Sequence, residues 1–337
     1  MNILLTGGTG YIGSHKAVVL SQLGHKVVLF DNLSNSSDIV LENLSQITGQ
    51  GLAFVKGDVR NTQLLDSTIN SHGIEAVIHF AGLKAVAESV AKPVDYFANN
   101  VQGAISLLQA MQSAKVKTLV FSSSATVYGE PQYLPLNESH PTSATNPYGR
   151  SKLHIEEMLK DIAISDTDWR IASLRYFNPV GAHDSGLIGE SPSGVPNNLM
   201  PYIAQVAVGQ RTELSVFGGD YPTADGTGVR DYIHVMDLAQ GHAAALKFLS
   251  QTNGHHVINL GTGNGYSVFD MARAFEIASG CEVPYKVVAR RAGDVAACYA
   301  DPKRASILLN WNACRSLEDM CASTWRFHLA NRLGVAQ

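Results

Sequence analysis

The sequence predicts an α/β fold: a Rossmann-type doubly wound parallel sheet with a smaller mixed α/β carboxyl-terminal substrate lobe. From Met1 to about Arg175, short apolar runs alternate with amphipathic helical stretches, the pattern of parallel strands joined by crossover helices. The first run leads straight into a glycine-rich turn with a helical pattern behind it. The 337 residues exceed one small domain and suit a large enzyme with a main core and a lesser lobe.

Strands are expected at Asn2–Thr6, Lys26–Phe30, Ala53–Lys56, Ala76–His79, Thr118–Ser122 and Arg170–Leu174, each followed by a loop with Gly, Asn, Asp or Ser. In such a sheet ligands gather at the carboxyl ends of the strands. After Asn178-Pro179 the regular wind breaks into a long loop holding Gly181, Gly186, Gly189, Pro192, Gly194 and Pro196, and long loops are usually functional. Beyond it, helices are expected near Leu199–Val208, Val235–Leu249 and Val268–Ser279, with a strand at Val257–Leu260. Residues 1–178 then form the dinucleotide-binding domain and 179–337 the substrate-binding lobe, with a stretch around 230–265 returning to the main sheet.

Composition narrows the function. Apolar residues make up 45% and charged residues 16%, enough for a sizeable core and too little charge for disorder. The formal net charge is −4 and no basic cluster interleaves with aromatics, so nucleic-acid binding is not expected. The amino-terminal residues show no signal-peptide pattern and no apolar run reaches the roughly 20 residues of a membrane span, so a cytoplasmic protein without membrane partners is expected. Cys281, Cys298, Cys314 and Cys321 form no metal-ligand spacing, and neither a metal site nor a disulfide framework is expected.

The first strand runs into Gly7-Gly8-Thr9-Gly10-Tyr11-Ile12-Gly13. Glycine allows the tight turn and lets the backbone approach a pyrophosphate, while the helix amino terminus supplies free N–H groups and the positive end of a dipole. Asp31 closes the second strand about 20 residues on, where a carboxylate accepts from the adenosine ribose hydroxyls and repels a 2′-phosphate; NAD is favoured over NADP. Asp58, after the third strand, is a candidate to face the adenine.

A second constellation carries chemistry. Ser122-Ser123-Ser124 ends a strand, and Tyr148-Gly149-Arg150-Ser151-Lys152 opens a helix, placing Tyr148 and Lys152 on one face. A phenol of pKa about 10 needs a neighbouring positive charge to act as a base near neutrality, and about three units of lowering ask for roughly 4 kcal/mol. Lys152 is placed to supply part of it. Ser124 shares the sugar hydroxyl and the proton path, so Ser124, Tyr148 and Lys152 form a set for removing a proton as hydride leaves carbon. YxxxK alone is more often a solvated helix face; behind a dinucleotide turn the catalytic assignment is favoured.

These stretches resemble the extended short-chain dehydrogenase/reductase superfamily, and within it the UDP-hexose 4-epimerases, along nearly the whole chain. The likeness rests on Thr6 to His15, His79-Phe80-Ala81-Gly82-Leu83-Lys84-Ala85-Val86, Ser122 to Gly129, Arg175-Tyr176-Phe177-Asn178-Pro179-Val180-Gly181-Ala182 and Asn197-Asn198-Leu199-Met200-Pro201-Tyr202. It implies that Tyr11, Ile12, Asp31, Asn32, Asp58, Val59, Phe80, Ala81, Lys84, Asn99 and Phe177 line NAD, with Tyr148 and Lys152 on its nicotinamide ribose. It places Asn178, Asn198, Leu199, Phe217, Arg230, Arg291 and Asp294 around the UDP half of the substrate, with Lys84, Ser124, Tyr148 and Cys298 near the sugar. Arginine suits a diphosphate because its fork makes paired charge-assisted bonds.

The implied activity is interconversion of UDP-galactose and UDP-glucose through transient oxidation at C4′. Cys298 stands where some relatives carry a bulky tyrosine, which leaves room for an N-acetyl group and extends the expectation to the N-acetylated UDP-hexoses. Arg150 departs from the lysine frequent in the family, with charge kept. Related 4,6-dehydratases carry an Asp-Glu pair after the threonine, absent in Ser124-Ala125-Thr126; a ketoreductase or a non-catalytic NAD sensor are the remaining alternatives. A homodimer through helices near Val90–Val101 and Ile105–Lys115 is expected from the family alone.

Overall fold

The computed structural model describes residues 1–192, 196, 198–291 and 293–334, the last three by backbone only; Gly194 and Asn197, both singled out above, lie outside the described residues. The first half alternates β1 (Asn2–Thr6), α1 (Tyr11–Gln22), β2 (Lys26–Asp31), α2 (Ile39–Thr48), β3 (Ala53–Lys56), α3 (Thr62–Ser71) and β4 (Ala76–His79). It continues through α4 (Val86–Ala91), α5 (Pro93–Tyr96), α6 (Gln102–Ser113), β5 (Thr118–Ser124), α7 (Pro147–Ser165) and β6 (Arg170–Tyr176). The second half holds β7 (Asn178–Val180), α8 (Leu199–Ala207), β8 (Leu214–Phe217), β9 (Val229–His234), α9 (Val235–Leu249), β10 (Gly254–Leu260) and β11 (Gly265–Ser267). It closes with α10 (Val268–Ser279), β12 (Tyr285–Val288), β13 (Ala297–Cys298), α11 (Lys303–Leu309) and α12 (Leu317–Gly334).

The main sheet has seven parallel strands in the order β10-β6-β5-β4-β1-β2-β3. Its strands read as continuous apolar runs because helices cover both faces. Along β1, Ile3 and Leu5 pack into one core cluster while Leu4 packs into the cluster on the opposite face, all three fully buried. The strand order reverses between β1 and β4, which opens a crevice at the carboxyl ends of these strands.

Of the stretch around 230–265, β10 enters the main sheet, whereas β9 pairs with β7, β11 and β13 in a second, smaller sheet. β8 and β12 form a separate two-stranded ribbon. A third apolar cluster, with Met200, Ile203, Val216, Met271 and Phe275, supports this side of the molecule.

The structure corrects one expected helix. The run from Val90 to Val101 is not a single α-helix: α4 stops at Ala91, Pro93 starts α5, and Phe97–Val101 form a π-helical turn leading into α6. Proline lacks the N–H and restricts the residue before it, so it starts a helix rather than continuing one. All four cysteines are free thiols, and among the described residues no helix is long and apolar enough to cross a membrane.

Candidate active site

The glycine turn is built by steric demand. Gly7 has φ +68, and a Cβ there would lie 2.7 Å from the Ala81 backbone nitrogen; a Cβ on Gly13 would lie 2.2 Å from the Gly7 carbonyl oxygen. A Cβ on Gly10 would meet only the Gly7 carbonyl oxygen, at 3.3 Å, so its outer side is open. Gly10 is also the N-cap of α1 and gives the first-turn N–H groups no side-chain acceptor. Those donors and that opening fit a pyrophosphate.

Asp31 lies against the turn: one carboxylate oxygen accepts from Thr9 N at 3.2 Å and the other from Leu33 N at 2.9 Å. At the next strand end Asn32 donates to Asp58 at 3.4 Å, and the Arg60 fork grips the same carboxylate at 2.8 and 2.6 Å. That fork holds the Asp58 carboxyl down at about 2. Arg60 did not stand out in the sequence. Val59 is buried below, where a Cβ on Gly103 of α6 would come within 2.7 Å of it. Ile12 packs on the main core, as does Phe80, whose ring lies 4.9 Å from His242.

The proton-handling groups converge where β5 meets α7. Asn146 caps α7 by accepting from Gly149 N at 2.9 Å, and Pro147 fixes its first turn, which sets Tyr148 one turn before Lys152. Ser124 accepts from Thr126 N at 3.2 Å and Thr126 Oγ1 at 3.0 Å. Burial raises the Tyr148 pKa, while the Ser124 hydroxyl and then the Lys84 ammonium act the other way.

Lys152 is buried, donates to the Ser122 carbonyl at 2.7 Å, and lies 6.0 Å from the centroid of the Tyr148 ring. Burial lowers its pKa to about 8, against the charge of Glu156. A second cation, Lys84, also opposes the rise of the phenol; its side chain is half exposed and its ammonium pairs with Glu190 at 2.9 Å.

Behind these groups Asn100 is a buried hub that sequence reasoning passed over. It accepts from Leu83 N at 2.8 Å and Asn99 at 3.1 Å and donates to Leu83 O and Ser151, both at 3.0 Å, tying the loop that carries Lys84 to α7. Asn99 thus sits in the π-helical turn, its amide turned toward Asn100.

The opposite wall comes from the second half. Arg230 on β9 is in register with Cys298 on β13. The Arg291 guanidinium lies 4.5 Å over the Phe217 ring and donates to Asp294 at 3.1 Å. Burial pushes the Tyr232 hydroxyl up to about 12, against the charges of Arg230 and Arg291, which belong to separate segments. Asn178 faces Tyr232 in the β7–β9 ladder. Phe177 is buried with Ala125, Val127, Tyr128, Leu136 and Ala300, and Cys298 packs on that cluster. Asn198 caps α8 without a side-chain cap bond and donates instead to Glu190 at 2.6 Å; Leu199 opens the helix.

Comparison with known proteins gives this arrangement its kin. The chain matches the family model described as GDP-mannose 4,6 dehydratase over residues 4–324. It is 56% identical to the UDP-glucose 4-epimerase of Bacillus subtilis over 98% of both chains. Among solved structures it is similar to a UDP-glucose 4-epimerase from Stenotrophomonas maltophila with bound NAD and formylated UDP-arabinopyranose, at 52% identity and a TM-score of 0.97 over 99% of both chains. It is also similar to the enzyme from Bifidobacterium longum in complex with NAD+ and UDP, at 50% identity and a TM-score of 0.96, covering 99% of this chain and 100% of that one. With a full-length match at this identity, the chain belongs to the UDP-glucose 4-epimerases of the extended short-chain dehydrogenase/reductase superfamily.

Proposed function

We propose that this epimerase interconverts UDP-galactose and UDP-glucose with NAD retained in the crevice, and that Tyr148 is its base. The observation that carries this is geometric: Lys152 lies 6.0 Å from the Tyr148 ring and donates to the Ser122 carbonyl at 2.7 Å, at the carboxyl end of β5 in the sheet that also carries the open glycine turn.

Tyr148 takes the proton of the C4′ hydroxyl, and Ser124 holds that hydroxyl by a hydrogen bond. When bound, NAD supplies the hydride acceptor at C4′ and the donor for return to the other face. Lys152 holds the ribose side of the cleft through its ammonium, fixed by the Ser122 carbonyl. Arg230 and Arg291 bind the diphosphate, Phe217 the base, and Asn178, Asn198, Leu199 and Asp294 the remaining polar and apolar edges of the nucleotide. The division near residue 178 separates the cofactor half from the sugar half.

Cys298, small and packed beside Phe177, leaves room for an N-acetyl group, so the N-acetylated pair of UDP-hexoses is a second substrate set. The same reading carries a cytoplasmic homodimer, for which Val90, Val94 and Ile105 offer exposed apolar surface on the α4–α6 region.

The first test is to mix purified protein, with no added NAD, with UDP-galactose and follow the anomeric signals by NMR. Conversion to UDP-glucose, approached from either side, supports the activity and the retained cofactor together. No conversion after adding NAD overturns it.

A further inference from the structure

One carboxylate joins the two halves of the cleft. Glu190 accepts from the Lys84 ammonium at 2.9 Å and from the Asn198 amide at 2.6 Å, both on the same oxygen. Lys84 belongs to the loop after β4, and Asn198 opens the helix assigned above to the nucleotide. Glu190 itself sits on the long loop after β7, which the rest of the fold pins down. Tyr11 of α1 donates to the Gly181 carbonyl at 2.6 Å, Asn43 of α2 donates to the Leu187 carbonyl at 2.8 Å, and Ala182 bridges to Gly189.

Burial decides how much the contact matters. The Glu190 side chain is 11% accessible against 49% for Lys84, so the carboxylate is the fixed, desolvated partner and the ammonium the one it holds. Its second oxygen is buried and has no hydrogen-bond partner among the described residues. Among the described residues the charge of Glu190 is therefore met by Lys84 and Asn198 alone, which makes the pair unlike a fully exposed ion pair worth little.

We propose that Glu190 is a positioning residue of the epimerase: a single carboxylate fixes the Lys84 ammonium beside Tyr148 and the Asn198 amide at the nucleotide side, so that both walls are set together. This rests on the assignment of Tyr148 as the base. Partial desolvation works against the Lys84 charge, and the charge and hydrogen bond of Glu190, with the charge of Tyr148, more than offset it, so the ammonium persists in its place. A cation held in place before the reaction contributes more than one that must be brought there.

The test compares Glu190→Gln and Glu190→Ala, each in the natural chain and in a Lys84→Met background, with melting temperature and retained dinucleotide as folding checks. Glu190→Gln keeps an oxygen for Asn198 but loses the charge that holds Lys84; kcat is expected to fall about tenfold with the KM for UDP-galactose nearly unchanged. Glu190→Ala is expected to lower kcat and also to weaken UDP binding, read by calorimetry without turnover. In the Lys84→Met background Glu190→Gln should cost less than about twofold further, because its partner is gone.

Equal losses in both backgrounds, or an unchanged kcat in Glu190→Gln, overturn the proposal. If Glu190→Ala does not fold, the isosteric glutamine variant decides alone. Tyr148→Phe is run beside them: an active Tyr148→Phe variant removes the base assignment itself, whereas an inactive one with a fully active Glu190→Gln removes only the positioning role.

Discussion

Cys298 lies in register with Arg230, residue for residue across the β13–β9 pair, so the small thiol and the guanidinium proposed to bind the diphosphate are spaced by one ladder rung. On the proposed function, whatever occupies position 298 stands beside the sugar once the arginine holds the phosphates. Cys298→Tyr is expected to lower epimerisation of the N-acetylated UDP-hexoses by about 10–200-fold while leaving UDP-galactose within a few-fold, the range over which a small steric change in a pocket discriminates. Parallel rate measurements on the two substrate pairs check this; undiminished N-acetyl activity would remove the gate.

Tyr148→Phe should lower kcat by about 10²–10⁴-fold, the range for losing a positioned acid–base group, with little change in UDP affinity. A variant that binds UDP poorly but turns over normally would point to a structural role instead.

Lys84→Met should move the acid limb of the kcat/KM profile to higher pH. The phenol is already raised by burial, and Lys84 is the cation that opposes this; Lys152 faces the ring from α7, and the buried hydroxyls of Tyr96 and Tyr176 lie close enough to be raised by Tyr148 in turn. With Lys84 gone the phenolate needs a more alkaline solution. A limb that stays put or moves down would contradict the assignment.

Gly13→Ala should yield protein without bound dinucleotide, because the added methyl meets the Gly7 carbonyl oxygen at 2.2 Å and the turn must open. Absorbance of the purified protein and its melting temperature with and without added NAD read this out; full retention would show that the turn tolerates the shift.

Acid should unfold this protein early. Burial pushes His79, His234 and His242 down to about 3 and His15 to about 4. Protonation thus favours the unfolded chain, whose imidazoles titrate near 6.5: the stability is complete above that pH and falls as pH drops toward 4. Each buried histidine gives up to about 1.4 kcal/mol per pH unit across that window. Asp58, held at about 2, titrates below it. Urea midpoints at pH 7.5, 6.0 and 5.0 should decline steeply; a constant midpoint would mean that these imidazoles are not buried neutral.

Much of the frame was legible because parallel strands buried on both faces are unbroken apolar runs. β1, β3, β4, α9 and α10 have the expected ends. β5 and β6 run on to Ser124 and Tyr176, past their apolar stretches, because the ladder continues through Ser123↔Arg175 and Ser124↔Tyr176. The polar side chains there are matched inside: Ser122 meets the Tyr176 hydroxyl, and Glu156 takes the Arg175 guanidinium and the Ser123 hydroxyl. Hydropathy carries no sign of such pairing. Glu190 was invisible for a related reason: its partner Lys84 is 106 positions away, and only the glycine-rich loop around it marked the region. Asn100 was hidden by its neighbour Asn99, which the family likeness brought forward.

β10 also bears on how the chain can be re-engineered. It arrives after the whole of β7 to α9 and lies down against β6, so the edge of the nucleotide-binding half is completed by a segment encoded late. A cut after residue 178 would leave β6 with a bare row of N–H and C=O groups, inviting self-association. Recombining this chain with a homologue to change its sugar preference therefore requires three crossovers, after β6, before β10 and after β10, so that β10 stays with its sheet while the segment bearing Cys298 is exchanged.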